Sequence, residues 1–236
     1  MSNGWDESAA AWIADQGERG DFSREFVLDT VMLKRIEGRD FKTALDVGCG
    51  EGRFCRMLRA RGIAVTGVDP TCALLQKARE LDPEGDYREG RAETLEFADQ
   101  SFDLVVSYLT LIDMPDIRRA IPQMVRILKP GGSLLIANVN SFISSCAHLG
   151  WVRDADGVHL HYPVDDYLDE RSANVSWRGI QIENWHRPLS VYMKLLLEQH
   201  LQLVYFDEPA PHGGDAERAR RYRRAPWHLV MEWRKG

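Results

Sequence analysis

The sequence predicts an α/β fold in which helices cover both faces of a mostly parallel sheet. Between residues 43 and 139, short apolar runs alternate with amphipathic helical segments, and this alternation is typical of a parallel sheet. The first apolar run, at residues 44–47, ends in a glycine-rich turn, and a helical pattern begins there. Turn residues also separate the later elements, at Gly62, Gly85 and residues 130–132.

Two amphipathic helices, at 5–16 and 21–37, are predicted before the sheet begins. The pattern then predicts the following elements in order: strand 43–47, helix 52–61, strand 63–68, helix 71–81, strand 86–90, strand 102–108, helix 115–128 and strand 132–139.

Residues 141–187 break this rhythm with many aromatic and histidine side chains. The alternation at 158–162 and at 175–184 predicts that these two segments form a small antiparallel pair. After this insert the pattern returns to that of the core and predicts helix 188–199 and strands 201–206 and 227–234.

Length and composition fit one globular domain, with 236 residues of which 44% are hydrophobic. No apolar run approaches the ~20 residues that span a bilayer, and residues 1–7 lack the pattern of a signal peptide. We therefore expect a cytoplasmic protein without a membrane partner, with free thiols at Cys49, Cys55, Cys72 and Cys146. The net charge of −6 argues against nucleic acid. We expect a small-molecule partner and a monomer or homodimer.

The glycine turn at Gly48, Gly50 and Gly52 predicts a cofactor site at the carboxyl end of the first strand. Glycine lets the backbone pass close to a ligand, and a turn that opens a helix presents free N–H groups. The spacing departs from the dinucleotide fingerprint because Arg53 stands where the third glycine belongs. Asp46 would repel a phosphate but could accept hydrogen bonds from an ammonium group. The pattern favours a ligand with an ammonium, a ribose and no phosphate, as in S-adenosylmethionine.

Five segments in register support this assignment: Asp46–Gly52, Val65–Asp69, Gly90–Phe97, Ser101–Ser107 and Leu128–Leu134. Together they resemble the motifs of the class I S-adenosylmethionine-dependent methyltransferases, in particular the type 11-like small-molecule group. The resemblance implies a Rossmann-like seven-stranded sheet with an antiparallel last strand, and S-adenosylhomocysteine as product. We expect one domain, made of an N-terminal helical cap (1–40), a cofactor-binding core (41–140), an acceptor lid insert (141–187) and the C-terminal part of the sheet (188–236).

Asp69 ends the second strand, where a carboxylate can accept hydrogen bonds from both hydroxyls of a ribose. It could also cap the following helix, which Pro70 would then open. By resemblance, Ala92 and Glu93 lie along the adenine, with the Glu93 carboxylate near its amino group. Cys49 is expected as a small residue within the cofactor-binding turn.

By resemblance, the residues that leave the fourth strand, Ser107, Tyr108 and Leu109, lie directly under the cofactor. Trp12 and Arg24 resemble an N-terminal cap found in some members of the family, where an arginine pairs with the cofactor carboxylate. A surface ion pair is the alternative for Arg24.

Methyl transfer to an oxygen often needs a general base, and three side chains are candidates for it. His186 lies between a predicted strand and helix, Asp113 lies in the loop after the fourth strand, and His161 lies in the insert as a candidate lid residue. The alternatives are a hydrogen-bonded structural histidine at 186 and a helix cap at 113. No cluster of cysteines or carboxylates accompanies the insert histidines, so we predict no metal site.

The predicted reaction is methylation of an oxygen or nitrogen of a small, partly aromatic organic acceptor. After the fourth strand, residues 107–110 read Ser-Tyr-Leu-Thr. They do not match the Asn-Pro-Pro-Tyr tetrad that marks methylation of nucleic-acid amino groups or protein glutamine in the resembled family. The aromatic insert favours a partly apolar acceptor. The alternatives are a carbon methyltransferase of the quinone-biosynthesis type and a non-catalytic S-adenosylmethionine-binding protein.

Overall fold

The computed structural model describes residues 3–236 and contains these strands: β1 Thr43–Val47, β2 Ala64–Asp69, β3 Asp86–Glu89, β4 Phe102–Tyr108, β5 Leu128–Val139, β6 Val152–Arg153, β7 His159–His161, β8 Arg171–Trp177, β9 Ile180–His186, β10 Leu201–Asp207 and β11 His228–Lys235. Seven of them form the central sheet in the order β10-β11-β5-β4-β1-β2-β3. Strands β1 to β5 run parallel, whereas β11 is antiparallel to both β5 and β10. The predicted Rossmann-like sheet with an antiparallel last strand is therefore confirmed.

The helices are α1 Trp5–Gln16, α2 Asp29–Lys34, α3 Arg53–Arg59, α4 Cys72–Leu81, α5 Ile117–Arg126, α6 Ser141–Ser144, α7 Leu189–Glu198 and α8 Ala216–Tyr222. Helices α5 and α7 pack on one face of the sheet, where their buried side chains meet those of β5 and β11. Helices α2, α3 and α8 pack on the other face. None of the helices formed by residues 3–236 is long and apolar enough to cross a membrane.

The predicted helix 21–37 forms over residues 22–34, with a π-helical turn, Arg24–Leu28, directly before the short helix α2. The start of one strand differs from the prediction for a local reason. Strand β5 begins at Leu128, four residues early, because Leu128 already pairs with Phe102. The ladder then shifts register until Ser133 pairs with Leu104, so the Pro-Gly-Gly segment bulges within the strand.

The predicted antiparallel pair of 158–162 with 175–184 is wrong, because each segment pairs with its own neighbour in sequence. β6 pairs with β7, and β8 pairs with β9, to give two separate hairpins. The turn between β8 and β9 consists of Arg178 and Gly179, both with positive φ (46° and 83°). A two-residue turn of this conformation matches the twist of adjacent strands, so a local hairpin forms in place of the long-range pair.

The glycine turn after β1 brings backbone into close contact with two neighbouring side chains. A Cβ on Gly48 would lie 2.5 Å from Thr110 Cγ2, and a Cβ on Gly52 would lie 2.6 Å from the Tyr87 ring. Gly48 and Gly52 also have φ of 78° and 75°, which disfavours other residues. The turn is therefore wedged between the loop after β4 and strand β3.

The substitution Gly52→Ala tests this wedge, with Gly131→Ala as its control. Both glycines have φ of 75°, but no described heavy atom lies within 4 Å of a Cβ on Gly131. We expect Gly131→Ala to cost about 1 kcal/mol of unfolding free energy from backbone strain and Gly52→Ala about 2–4 kcal/mol, because the clash with Tyr87 adds to it. Urea denaturation measures both values, and equal losses would contradict the wedge.

Candidate functional site

A cavity lies beside the glycine turn, at the carboxyl ends of β1, β2 and β4, where open parallel sheets bind ligands. The space between its walls, including the part that is open to solvent, is about 980 Å³. Its wall brings together these residues of the predicted cofactor site: Trp12, Arg24, Asp46, Gly48, Cys49, Gly50, Asp69, Pro70, Ala92, Glu93, Tyr108 and Leu109.

Two predicted cofactor residues, Gly52 and Ser107, lie behind this wall and are corrected to supporting positions. Ser107 is fully buried, and its hydroxyl is 2.7 Å from Thr110 Oγ1. The Thr110 hydroxyl in turn donates to the Val47 carbonyl at 3.0 Å. Thr110 lines the cavity in place of Ser107, because the hydrogen bond between the two hydroxyls turns the Ser107 side chain inward. Gly52 is held against the Tyr87 ring.

Asp69 fixes the glycine turn through both of its carboxylate oxygens. Oδ2 accepts the Gly50 N–H at 2.9 Å, and Oδ1 accepts the Thr71 N–H at 2.8 Å. The N-cap position of α4 is Thr71, so Asp69 precedes the cap and Pro70 is exposed beside it. Each carboxylate oxygen keeps a further lone pair for a ligand. Burial raises the pKa of Asp69.

Asp46 is a buried acid with an incomplete set of hydrogen bonds. Its Oδ2 accepts the Cys55 thiol at 3.4 Å, whereas its Oδ1 has no hydrogen-bond partner among residues 3–236. Burial raises the pKa of Asp46 to about 7. A buried oxygen without a partner is costly, and in the cavity wall it fits the ammonium donor predicted from the sequence.

Ala92 and Glu93 form a single 3₁₀ turn, Ala92–Thr94, at the end of the cavity beyond β3. Glu93 Oε1 is buried and has no hydrogen-bond partner in the described part of the chain. Its Oε2 lies 3.7 Å from Arg91 Nε. This second unpaired acceptor fits a ligand that presents a hydrogen-bond donor, as the amino group of adenine does.

Arg24 is held in the wall by aromatic rings on two sides. Its guanidinium carbon lies 4.6 Å from the Trp12 ring centre and 5.7 Å from that of Tyr108. The nearest carboxylate is Asp21, at 3.4 Å, and both side chains are less than 20% exposed. Arg24 is therefore a preorganised cation in the cavity wall. The ion pair considered as its alternative does form, with Asp21, but it is largely buried and not at the surface.

Asp113 lies in the cavity wall, and its Oδ1 accepts the Asn184 side-chain amide at 2.5 Å. Burial and the neighbouring Asp69 charge raise the pKa of Asp113 well above its usual range. The N-cap of α5 is Asp116, so Asp113 does not serve as the helix cap considered as its alternative. Asp113 thus presents a carboxyl group at the cavity wall that can exchange a proton with a ligand.

The structure contradicts the general-base prediction for His186. The ring is 3% exposed, its Nε2 donates to the Tyr167 carbonyl at 2.9 Å, and its Nδ1 accepts the Ser144 hydroxyl at 2.8 Å. Burial lowers its pKa. Both ring nitrogens thus have hydrogen-bond partners within the insert, and His186 is a hydrogen-bonded structural histidine.

The structure also places His161 away from the cavity. It is exposed and lies on the β6–β7 hairpin, where it pairs with Val152, so the expected lid position over an acceptor is not formed. His159 of the same strand packs against the Trp151 ring. Within residues 3–236, no three His, Cys, Asp or Glu side chains come together to hold a metal ion.

Sequence reasoning missed several wall residues and one supporting residue. Asn3 and Trp5 line the cavity from the N-terminal segment, and the Trp5 and Trp12 rings meet edge to face at 5.1 Å. The seven-residue spacing of the two tryptophans on one helix face was a usable signal. Asn184 carries no such signal, because its contact with Asp113 spans 71 residues.

The fold and the cavity define a class: an open α/β sheet with a cavity at the carboxyl ends of its parallel strands. Residues 45–136 match the sequence model of the methyltransferase domain. Over this segment the chain is similar to the class I S-adenosylmethionine-dependent methyltransferases, and that similarity implies S-adenosylmethionine as cofactor.

The chain is similar to curated methyltransferases over part of its length. It is 36% identical over 150 residues to a malonyl-[acyl-carrier protein] O-methyltransferase of Salmonella typhimurium, covering 63% of this chain and 57% of that protein. It is 35% identical over 145 residues to a ubiquinone biosynthesis O-methyltransferase of Alkalilimnicola ehrlichii, covering 58% of each. The chain thus spans little more than half the length of these relatives.

The fold extends to solved structures over nearly the whole chain. A crystal structure of an S-adenosylmethionine-dependent methyltransferase from Mesorhizobium loti superposes with a TM-score of 0.79. It covers 93% of this chain and 100% of its own, at 24% identity. At this level of identity the likeness concerns the fold.

The buried Asp46 predicts a stability that depends on pH. Its pKa is raised from 3.8 to about 7, so between these values the folded chain binds more protons than the unfolded chain, and stability falls as the pH rises. Asp46→Asn removes this loss. We expect the unfolding free energy of Asp46→Asn minus that of the wild type to be about 2–3 kcal/mol larger at pH 8 than at pH 5.

Urea denaturation at pH 5 and pH 8 measures this difference. Asp156→Asn, on the exposed hairpin turn, is the control and should change stability equally at both pH values. A pH-independent effect of Asp46→Asn would contradict the raised pKa.

Proposed function

We propose that the protein transfers the methyl group of S-adenosylmethionine to an oxygen or nitrogen of a small, partly aromatic organic acceptor. The observation that carries this proposal is the unpartnered, buried Asp46 Oδ1 in the wall of the cavity. The class I domain explains it, because the methionine end of the cofactor brings an ammonium group that supplies the missing donor.

The remaining wall groups match the other parts of this cofactor. Asp69 would hold the ribose hydroxyls through its remaining lone pairs, and Glu93 would accept from the adenine amino group. Arg24, fixed between two aromatic rings, would pair with the carboxylate of the methionine end. Each of these four charged groups, Asp46 included, is thus chemically complementary to one part of the ligand.

When bound, S-adenosylmethionine supplies an electrophilic methyl group on a sulfonium. The chain contributes alignment and a water-poor environment, with Trp5 and Trp12 covering the cavity from α1. The Asp113 carboxylate, when ionised, accepts the proton that the acceptor loses, because it lies in the cavity wall and is held in place by Asn184. The role predicted for His186 passes to Asp113.

An oxygen acceptor has the stronger support. Both curated relatives described above are named O-methyltransferases, and a carboxylate base is useful when the acceptor atom carries a proton. The tryptophans of the cavity wall favour an acceptor with an apolar or aromatic part.

Cofactor binding is tested with S-adenosylhomocysteine and isothermal titration calorimetry. We expect Asp69→Ala to weaken binding about 10- to 100-fold, because it removes hydrogen bonds to a charged group and releases Gly50. The control is Asp156→Asn, which should bind like the wild type. Wild-type protein that fails to bind would refute the proposed function.

Methyl transfer is tested with heavy-methyl S-adenosylmethionine, a small-metabolite extract and mass spectrometry. We expect label on an oxygen or nitrogen of a small molecule. Asp113→Asn should slow the transfer about 10²- to 10⁴-fold and leave S-adenosylhomocysteine binding within about threefold of the wild type, because Asn keeps the shape of the side chain but not its basicity.

The matched control is Asp116→Asn, three residues away, because asparagine also caps helices well. It should transfer methyl groups at the wild-type rate. Label on carbon would favour the carbon-methyltransferase alternative, and cofactor binding without any label would favour a non-catalytic protein.

A further inference from the structure

The outer edge of strand β9 joins the two sides of the cavity. One edge of β9 pairs with β8. On the other edge, the N–H groups of three alternate residues donate hydrogen bonds to acceptors outside the hairpin. Gln181 N–H donates to Ser8 Oγ at 2.9 Å, Glu183 N–H to the Asn3 carbonyl at 3.0 Å, and Trp185 N–H to the Ile112 carbonyl at 2.7 Å. One strand thus contacts the N-terminal segment and the loop after β4.

The first of these contacts fastens α1 to the hairpin. Ser8 Oγ also donates to the Gln181 carbonyl at 2.9 Å, so the hydroxyl bonds to both backbone polar groups of one residue. A Cβ on Gly4 would lie 2.2 Å from the same carbonyl. Below the clamp, Ile180 and Ile182 are buried in one apolar cluster with Trp12. Helix α1 and hairpin β8–β9 therefore form one packed unit.

The far end of β9 sets the shape of the loop that carries Asp113. The Asn184 amide holds the Asp113 carboxyl at 2.5 Å. Arg187, fully buried, donates to the carbonyls of Leu111, Met114 and Pro115 at 3.3, 2.7 and 2.9 Å. The conformation of residues 111–115 is thus imposed by residues 184–187.

Helix α1 also contacts the cofactor end of the cavity and is joined to the core by a glycine-bounded segment. Trp5 and Trp12 line the cavity, while Gly17 and Gly20 both have positive φ (53° and 86°). A segment of this kind can absorb changes in backbone angle. A ligand under α1 therefore stabilises the packed position of the helix, and with it the position of β9.

We propose that α1 and hairpin β8–β9 act as a latch through which cofactor occupancy fixes Asp113 in position for the acceptor. In this latch Ser8 and Asn184 are positioning residues: Ser8 connects α1 to β9, and Asn184 connects β9 to Asp113. The inference rests on the proposed function, because it places the cofactor under α1 and the acceptor beside Asp113. The acceptor side of the cavity is thus completed only when the cofactor side is filled.

Hydrogen–deuterium exchange of the full chain, with and without S-adenosylhomocysteine, tests the latch. In the wild type we expect the ligand to slow exchange in two separate peptides, one spanning 181–185 and one spanning 110–114. Ligand binding with unchanged exchange at 110–114 would overturn the latch and leave the proposed function standing. Absence of binding would overturn the proposed function and the latch together.

Two variants interrupt the latch at different points. Ser8→Ala should weaken ligand binding about three- to tenfold and, at saturating ligand, reduce the added protection at 110–114 by at least about half. Asn184→Ala should keep the protection at 181–183 and reduce the ligand-dependent protection at 110–114, where only the contacts of Trp185 and Arg187 remain. The control is Ser176→Ala, an exposed serine on the same hairpin, which should behave like the wild type.

The two variants also separate the latch from a general loss of stability. A merely structural role of Ser8 would lower protection equally with and without ligand, whereas the latch predicts a change in the ligand-dependent difference. Full ligand-dependent protection of 110–114 in either Ser8→Ala or Asn184→Ala would refute the coupling through β9.

Discussion

The cavity depends on the constraint that holds the glycine turn after β1. Gly48 packs against Thr110 and Gly52 against Tyr87, at distances that leave no room for a Cβ. Asp69 ties Gly50 to the end of β2. The turn is thereby bound to the loop after β4, to strand β3 and to the end of β2. This fixed turn is what places the Asp46 carboxyl at the wall of a cavity.

The same constraint concentrates negative charge at a cost in stability. Within residues 3–236, the carboxyl groups in the cavity wall are those of Asp46, Glu51, Asp69, Glu93 and Asp113. Burial raises the pKa of Asp46, Asp69 and Asp113, which means that their charged forms destabilise the fold. Groups that destabilise a protein at neutral pH and lack internal partners are typical of functional sites. A cationic ligand with several hydrogen-bond donors stabilises the charged carboxylates and supplies the hydrogen-bond partners that they lack.

The sequence was sufficient wherever a structural role is local. The glycine turn, Asp46 and Asp69 lie within short motifs whose geometry follows from one strand and one turn, so their places at the cavity could be predicted. The prediction failed for His186, because its partners Ser144 and Tyr167 belong to other parts of the insert, and loop composition does not reveal such contacts. Hairpin pairing in the insert was missed because the two-residue turn at Arg178 was not recognised.

The parts of the site that could be predicted from the sequence lie in a different segment of the chain from those that could not. The segment that matches the methyltransferase domain ends at residue 136 and begins at residue 45, and it contains the turn, Asp46, Asp69 and Asp113. The rest of the wall comes from outside it, with Trp5, Trp12 and Arg24 before the segment and Asn184 behind Asp113 after it. The N-terminal helix contributes Trp5 and Trp12 to the wall. The β8–β9 hairpin lies behind the wall, where Asn184 holds the carboxyl group of Asp113 in place, so both elements outside the matched segment bear on the geometry of the cavity.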